Sequence, residues 1–233
     1  MIRYPLILWF CVPVICGLGS SWAGLPVKIL REDTEWLDVS LPGLHKTGQK
    51  RVLLIGDSIT AGYFWSVADQ IKDKAIVAKL ATSKSVGDPG LLQEISLVLS
   101  QCDFDVIHFN NGLHGRDYTE NDYRQHFPEL VATLRKGAPH AQLIWATTTP
   151  TREGEKFESV TEFTQRVRER NRIAAEILQR EGIPVNDLYS LVAEHPDYFS
   201  DGVHFNPEGV KVLTAQVAER ITTLLGKSIQ FTR

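Results

Sequence analysis

Three short stretches of the chain combine residue types that can do chemistry together. Gly56-Asp57-Ser58-Ile59-Thr60 follows an apolar run, which puts a serine where a strand gives way to a helix. A hydroxyl raised on such a turn lies near the positive end of the following helix, which favours negative charge developing beside it. Asp57 can brace the turn with its own side chain; read in isolation, the Asp-Ser pair is simply a helix cap. Asp201-Gly202-Val203-His204 precedes a proline-started helix near the far end of the chain. A neutral imidazole takes a serine's proton when a carboxylate fixes its tautomer and stabilises the cation that forms, and this spacing lets both side chains face one site. Alone, the tetrapeptide reads as a turn with a surface histidine. The third stretch, Phe109-Asn110-Asn111-Gly112-Leu113-His114, sets two amides and an imidazole after another apolar run. Such groups are costly to bury without partners, so they either turn the chain or donate hydrogen bonds to an oxyanion.

These stretches need a scaffold that gathers them. Residues 51–55, 75–80, 105–109, 142–147 and 183–185 read as buried strands, and residues 61–71, 88–100, 119–134, 160–180 and 207–225 as helices. Asp88 before Pro89, and Asn206 before Pro207, are helix-start pairs, while Thr119-Glu120-Asn121-Asp122 resembles a capping box with Asp in place of Glu or Gln. Strands separated by helices predict a three-layer α/β/α sandwich with a mainly parallel five-stranded sheet. In such a sheet the working site lies at the carboxyl ends of the strands, where all three stretches fall. Residues 51–233 are expected to form this domain, and residues 24–50 an arm that tucks against it through Trp36, Leu37 and Leu41. His108 and Trp145 fall within strands and default to the core. Arg116, Asp117 and Tyr118 follow the third stretch, residues 152–157 follow the fourth strand, and His195, Tyr198 and Phe199 precede the Asp201 turn; these are candidate neighbours of a pocket.

Composition excludes other classes. The chain has 233 residues, 25 Lys+Arg against 28 Asp+Glu for a net charge of −3, 43% hydrophobic and 23% charged residues. Those are the values of a globular protein, which excludes a disordered chain or a fibre. A mildly acidic balance without Lys/Arg runs argues against a nucleic-acid binder, whose phosphate contacts need a basic face. Residues 1–23 read as a secretory signal, with Arg3 as the positive region, an apolar core over residues 5–19, and Ser21-Trp22-Ala23 offering cleavage after Ala23. That core is shorter than the ~20 residues of a membrane-spanning helix, although an uncleaved anchor is the alternative. The expectation is a secreted or periplasmic protein with no stable membrane insertion after cleavage. Cys11 and Cys16 leave with the signal, so Cys102 remains without a disulfide partner and is expected to be buried and inert. The spacing of His108, His114, Asp117 and His126 matches no compact metal site.

In combination, the stretches resemble the SGNH (GDSL) hydrolase superfamily of esterases and lipases, over about residues 51–226. The resemblance implies a flavodoxin-like fold, Ser58 as nucleophile, His204 as general base and Asp201 as its orienter. It also implies an oxyanion hole containing the backbone N–H groups of Ser58 and of Gly87, which follows the second strand. The third block departs from the family pattern, which usually reads Gly-x-Asn-Asp: aligning Gly112 puts His114 where the Asn belongs and Gly115 where the Asp belongs. Gly112-Leu113-His114 is similar to a variant found in some extracytoplasmic, carbohydrate-acting relatives. Either His114 donates through a ring N–H or Asn111 reaches in from the strand. The resemblance thus implies an exported serine esterase without cofactor or metal, acting on short acyl, first of all acetyl, esters of carbohydrate. The alternatives are a lipase or lysophospholipase, an O-acyltransferase with the same residues, and a non-catalytic carbohydrate-binding domain. The charged stretch 151–159 is a poor match to the apolar loop a lipid ester would want.

Overall fold

The structure, a computed structural model, describes residues 29–226. The expected signal segment, residues 1–23, lies outside the described residues. Six strands form the main sheet: β1 (Leu37–Ser40), β2 (Arg51–Gly56), β3 (Ile76–Thr82), β4 (Val106–Phe109), β5 (Gln142–Ala146) and β8 (Val185–Asn186), in the spatial order β1-β3-β2-β4-β5-β8. The five expected strands all form and run parallel; the sixth, β1, pairs antiparallel with β3 from Leu37 opposite Thr82 to Ser40 opposite Lys79. The sheet is therefore six-stranded rather than five-stranded. The arm does more than lie on the domain, since it adds an edge strand. Leu-Asp-Val-Ser does alternate, but over only four largely exposed residues, too short a run to announce a strand, which is why β1 escapes sequence reading. Leu37 is 45% exposed and does not tuck in, whereas Leu41 packs against the core.

Strands β2 and β4 are buried at every position, as parallel strands covered on both faces must be. Their side chains alternate between two cores. Leu53, Ile55, Ile107, Phe109 and Trp145 point to one face, which is covered by α2 (Pro89–Leu99), α3 (Glu120–Gly137) and α4 (Phe163–Arg180). Val52, Leu54, Val106 and Ile144 point to the other face, under α1 (Ser58–Gln70) and α6 (Pro207–Leu225). His108 and Trp145 are indeed fully buried.

The caps act as their sequences suggest. Asp88 accepts from the Gly90 N–H at 2.8 Å, Thr119 and Asp122 form the reciprocal capping box, and Asn206 accepts from Glu208 and Gly209 N–H. One boundary differs in a way that matters: α1 begins at Ser58 rather than at residue 61. Asp57 is the cap, its Oδ1 accepting the Ile59 N–H at 2.9 Å, so Ser58 is the first residue of the helix. The chain between β5 and α6 also folds into a small hairpin, β6 (Arg152–Glu153) with β7 (Ser159–Val160), and a short helix, α5 (Leu188–Val192). These are too short for any periodicity to announce them.

Candidate active site

Ser58 and His204 are 146 positions apart in sequence, yet His204 Nε2 lies 2.9 Å from Ser58 Oγ. On the other side of the ring, Nδ1 meets Asp201 Oδ2 at 2.9 Å. Asp201 Oδ1 accepts the backbone N–H groups of Val203 and His204, each at 2.7 Å. The aspartate thus folds its own turn and holds the imidazole with the same carboxylate. Burial alone would raise the Asp201 carboxyl, but the His204 and Val203 amides and the His204 ring outweigh it, and the group sits below the usual carboxylate range. With Nδ1–H directed at the carboxylate, Nε2 is the acceptor that faces the serine hydroxyl. Ser58 sits at the start of α1, where its backbone N–H has no acceptor within the helix. Asp57, directly before it, is buried. Desolvation pushes its carboxyl upward, partly offset by the nearby His114, the Ile59 N–H and His204.

Packing brings these segments together. The apolar neighbours of three sequence-predicted site residues, Ile59 beside Ser58, Leu113 beside His114 and Val203 beside His204, meet Phe163, Val167 and Tyr189 in one cluster. Val167 is fully buried and Leu113 nearly so. The Asp201 turn is held from a second direction by Arg152, which was expected in a substrate-facing loop and instead lies buried. Its N–H donates to Gly202 O at 2.7 Å, and its guanidinium donates to Phe157 O at 2.8 Å and to Ala193 O. A Cβ on Gly202 would stand 2.5 Å from Arg152 O, so only glycine lets the two backbones approach this closely.

The loops after β3 and β4 carry the remaining candidates. Gly87 N–H has only a 3.5 Å contact to Ser85 Oγ, too long to engage it. The Tyr118 ring lies against Gly87 so closely that a Cβ there would come within 2.5 Å of the ring. Asn111, one of the two sequence-predicted donors, is occupied elsewhere: Oδ1 accepts Val86 N–H at 3.1 Å, Nδ2 donates to Lys84 O at 2.8 Å, and its carbonyl accepts from Tyr123 Oη at 2.5 Å. It stitches the β3–α2 loop to the β4–α3 loop. His114, the other, has Nδ1 at 2.8 Å from Glu32 Oε1 and a buried Nε2 with no hydrogen-bond partner among the described residues. Arg170, on α4, is 1% exposed and donates to the carbonyls of Gly112, His114, Gly115 and Tyr118, while Glu120 lies 3.3 Å from its Nε. The loop that carries His114 is thus wrapped around one buried guanidinium. Sequence reading missed Glu32, Arg170 and the bracing role of Arg152. Each acts across a long sequence separation, which leaves no local spacing signal.

Beside this loop is an open cleft of about 440 Å³ lined mainly by polar residues, including Arg31, Glu32, Glu35, Asp88, Arg116 and Asp117. Arg116 also stacks over the Phe163 ring at 4.5 Å. Tyr118 is buried rather than solvated, and His195 stacks on Tyr198 at 4.4 Å between ring centroids.

Solved structures share this fold. The GDSL-like lipase of Bacteroides thetaiotaomicron VPI-5482 is 20% identical, with a TM-score of 0.60 over 75% of this chain and 88% of that one. The aryl esterase of M. smegmatis is 18% identical, with a TM-score of 0.62 over 75% and 99%. The carbohydrate acetylesterase Est24 of Sinorhizobium meliloti is 14% identical, with a TM-score of 0.59 over 76% and 100%. At these identities the likeness carries the fold alone. Comparison with curated protein sequences finds no match. The sequence profile of GDSL-like lipases and acylhydrolases matches residues 54–212, which span the Ser58 and His204 segments, and the chain belongs to that family of ester hydrolases.

Proposed function

We propose that the protein is an exported serine esterase that removes short acyl groups, first of all acetyl, from carbohydrate. The observation that carries the reading is the hydrogen-bonded chain Ser58–His204–Asp201 at the carboxyl edge of the sheet. Ser58 Oγ attacks the ester carbonyl carbon while His204 Nε2 takes its proton, and Asp201 stabilises the resulting imidazolium. The tetrahedral oxyanion is held by the N–H groups of Ser58 and Gly87 and by the His114 ring. His204 then protonates the departing alcohol oxygen. Water, deprotonated by the same histidine, attacks the acyl-enzyme and releases the acid.

The surroundings support the substrate class. The cleft beside the loop that carries His114 is polar and rich in carboxylates, a poor surface for a lipid chain and an unfavourable one for uronates or phosphates, but suited to sugar hydroxyls. One structural neighbour is a carbohydrate acetylesterase. Export rests on the segment 1–23. The test is acetate release from 4-nitrophenyl acetate and from acetylated xylan, pectin and rhamnogalacturonan, with Ser58→Ala as control. Serine-dependent release from a neutral acetylated polymer is the expected result. Turnover of the small ester alone would overturn the carbohydrate assignment while keeping the esterase, and acyl transfer to a sugar in place of acetate release would move the reading to a transferase.

A further inference from the structure

We propose that the N-terminal arm is part of the catalytic apparatus, with Glu32 acting as a positioning residue that orients His114 as an oxyanion donor. The proposal deepens the esterase reading and rests on it.

The geometry converges on one ring. Glu32 Oε1 holds Nδ1 at 2.8 Å, and the Trp36 indole meets the same ring edge-on, with centroids 6.0 Å apart and planes at 75°. The backbone of His114 is fixed separately by Arg170 through its carbonyl. Every polar atom of the residue's ring is therefore engaged except Nε2, which is buried and unpartnered among the described residues. Core residues also leave nitrogens without partners, His108 Nδ1 and Trp145 Nε1, but His114 follows Leu113, whose side chain packs with Ile59 and Val203, the neighbours of Ser58 and His204, where a ligand oxygen would come. With the Glu32 carboxylate at Nδ1, Nε2 can donate only when both ring nitrogens carry protons; that is the form the proposal requires, with Glu32 facing the cation and fixing its aim.

The same arm grips the other wall of the site. Leu30 N–H donates to Tyr118 Oη at 2.8 Å, and Tyr118 is the ring that lies against Gly87. Arg31 Nε donates to Asp88 Oδ2 at 2.7 Å, and Asp88, one residue after Gly87, caps α2. Trp36 N–H donates to Ser83 Oγ at 2.9 Å, at the end of β3. Seven consecutive residues, 30–36, thus bridge the loop that carries Gly87 and the loop that carries His114. Both loops supply donors in the proposed mechanism, and the arm sets their separation.

The test uses the full chain and the variants Glu32→Ala, Glu32→Gln, His114→Ala and Glu32→Ala/His114→Ala, with Ser58→Ala as background. Steady-state hydrolysis of 4-nitrophenyl acetate gives kcat and KM, and long-range ¹H–¹⁵N correlation spectra give the protonation of the His114 ring nitrogens. Glu32→Ala should lower kcat ~10–100-fold with little change in KM, the range for removing the hydrogen-bond partner that orients a metal-bound histidine, carried over here to an oxyanion donor. Glu32→Gln, which keeps an acceptor oxygen at the same place, should recover part of that loss. The double variant should be no slower than His114→Ala, since Glu32 acts through the ring. The wild-type ring should carry protons on both Nδ1 and Nε2, and its ¹⁵N shifts should move in Glu32→Ala; a ring protonated on Nδ1 alone, whose Nε2 could only accept, overturns the proposal. Serine-dependent turnover with Glu32→Ala at the wild-type kcat, or additive losses in the double variant, overturns the proposal and leaves the esterase standing. Wild-type turnover no faster than Ser58→Ala removes the esterase reading, and the proposal falls with it.

Discussion

Asn111 and His114 stand three positions apart on one loop, yet cutting each back to alanine should damage different things. His114→Ala removes the proposed oxyanion donor and should lower kcat by ~10²–10³ with the melting temperature little changed. Asn111→Ala strands the Val86 N–H and the Lys84 carbonyl in a buried setting and should cost about 1–3 kcal/mol of stability. Thermal melts beside kcat measurements separate the two, and a large kcat loss from a fully folded Asn111→Ala would return the donor role to that residue. Ser58, Asp201 and His204 could be read from the sequence because each sits in a short pattern whose chemistry is local. Glu32, Arg152 and Arg170 could not. Their partners are a ring or a set of backbone carbonyls supplied largely by distant segments, and nothing in the spacing of an acidic arm or a charged helix marks one residue as the one that makes these contacts.

At the scale of elements, β4 carries a buried titratable ring that has no part in the chemistry. His108 is fully buried, and desolvation pushes it down from 6.5 to about 4. Its Nε2 meets Asn186 Nδ2 at 3.1 Å, which fits a neutral ring accepting from the amide. As pH falls below 6.5 the unfolded chain takes up the proton first. The stability linked to this group is therefore complete above about pH 6.5 and is lost progressively toward pH 4, a span worth roughly 3 kcal/mol. Urea unfolding across that range should show a slope that flattens in His108→Gln, and an unchanged slope would assign the acid sensitivity to other groups. The Asp201 turn offers a second element-scale test. Gly202→Ala forces a Cβ against Arg152 O and must displace the turn that carries the carboxylate and imidazole. The variant should stay folded and lose at least tenfold in kcat, the cost of about 1.4 kcal/mol in transition-state placement; full activity would mean that the close approach is dispensable. Helix starts were legible at this scale because caps are local chemistry, as at Asp88, Thr119 and Asn206. The β6–β7 hairpin and α5 were not, since elements of two to five residues have no period.

Across the whole molecule, the layer order and the parallel sheet followed from alternating apolar runs and amphipathic helices, and so did the edge at which the site lies. The edge strand β1 did not, because its alternation runs for only four largely exposed residues and the pairing with β3 completes it. That strand anchors the arm whose preceding residues reach the loops around Gly87 and His114, so the part of the chain with the weakest sequence pattern is tied to the site through the sheet. Whether Ser58 is a nucleophile activated by His204 decides the proposed reaction. A fluorophosphonate probe tests it directly, since attack by the serine oxygen on phosphorus expels fluoride and leaves a stable adduct. Intact-mass analysis and peptide mapping should find one adduct per chain, on Ser58, with none on Ser58→Ala and labelling of His204→Ala slowed at least a hundredfold. A wild-type chain that stays unlabelled, or a His204→Ala chain that labels as fast as wild type, would contradict it.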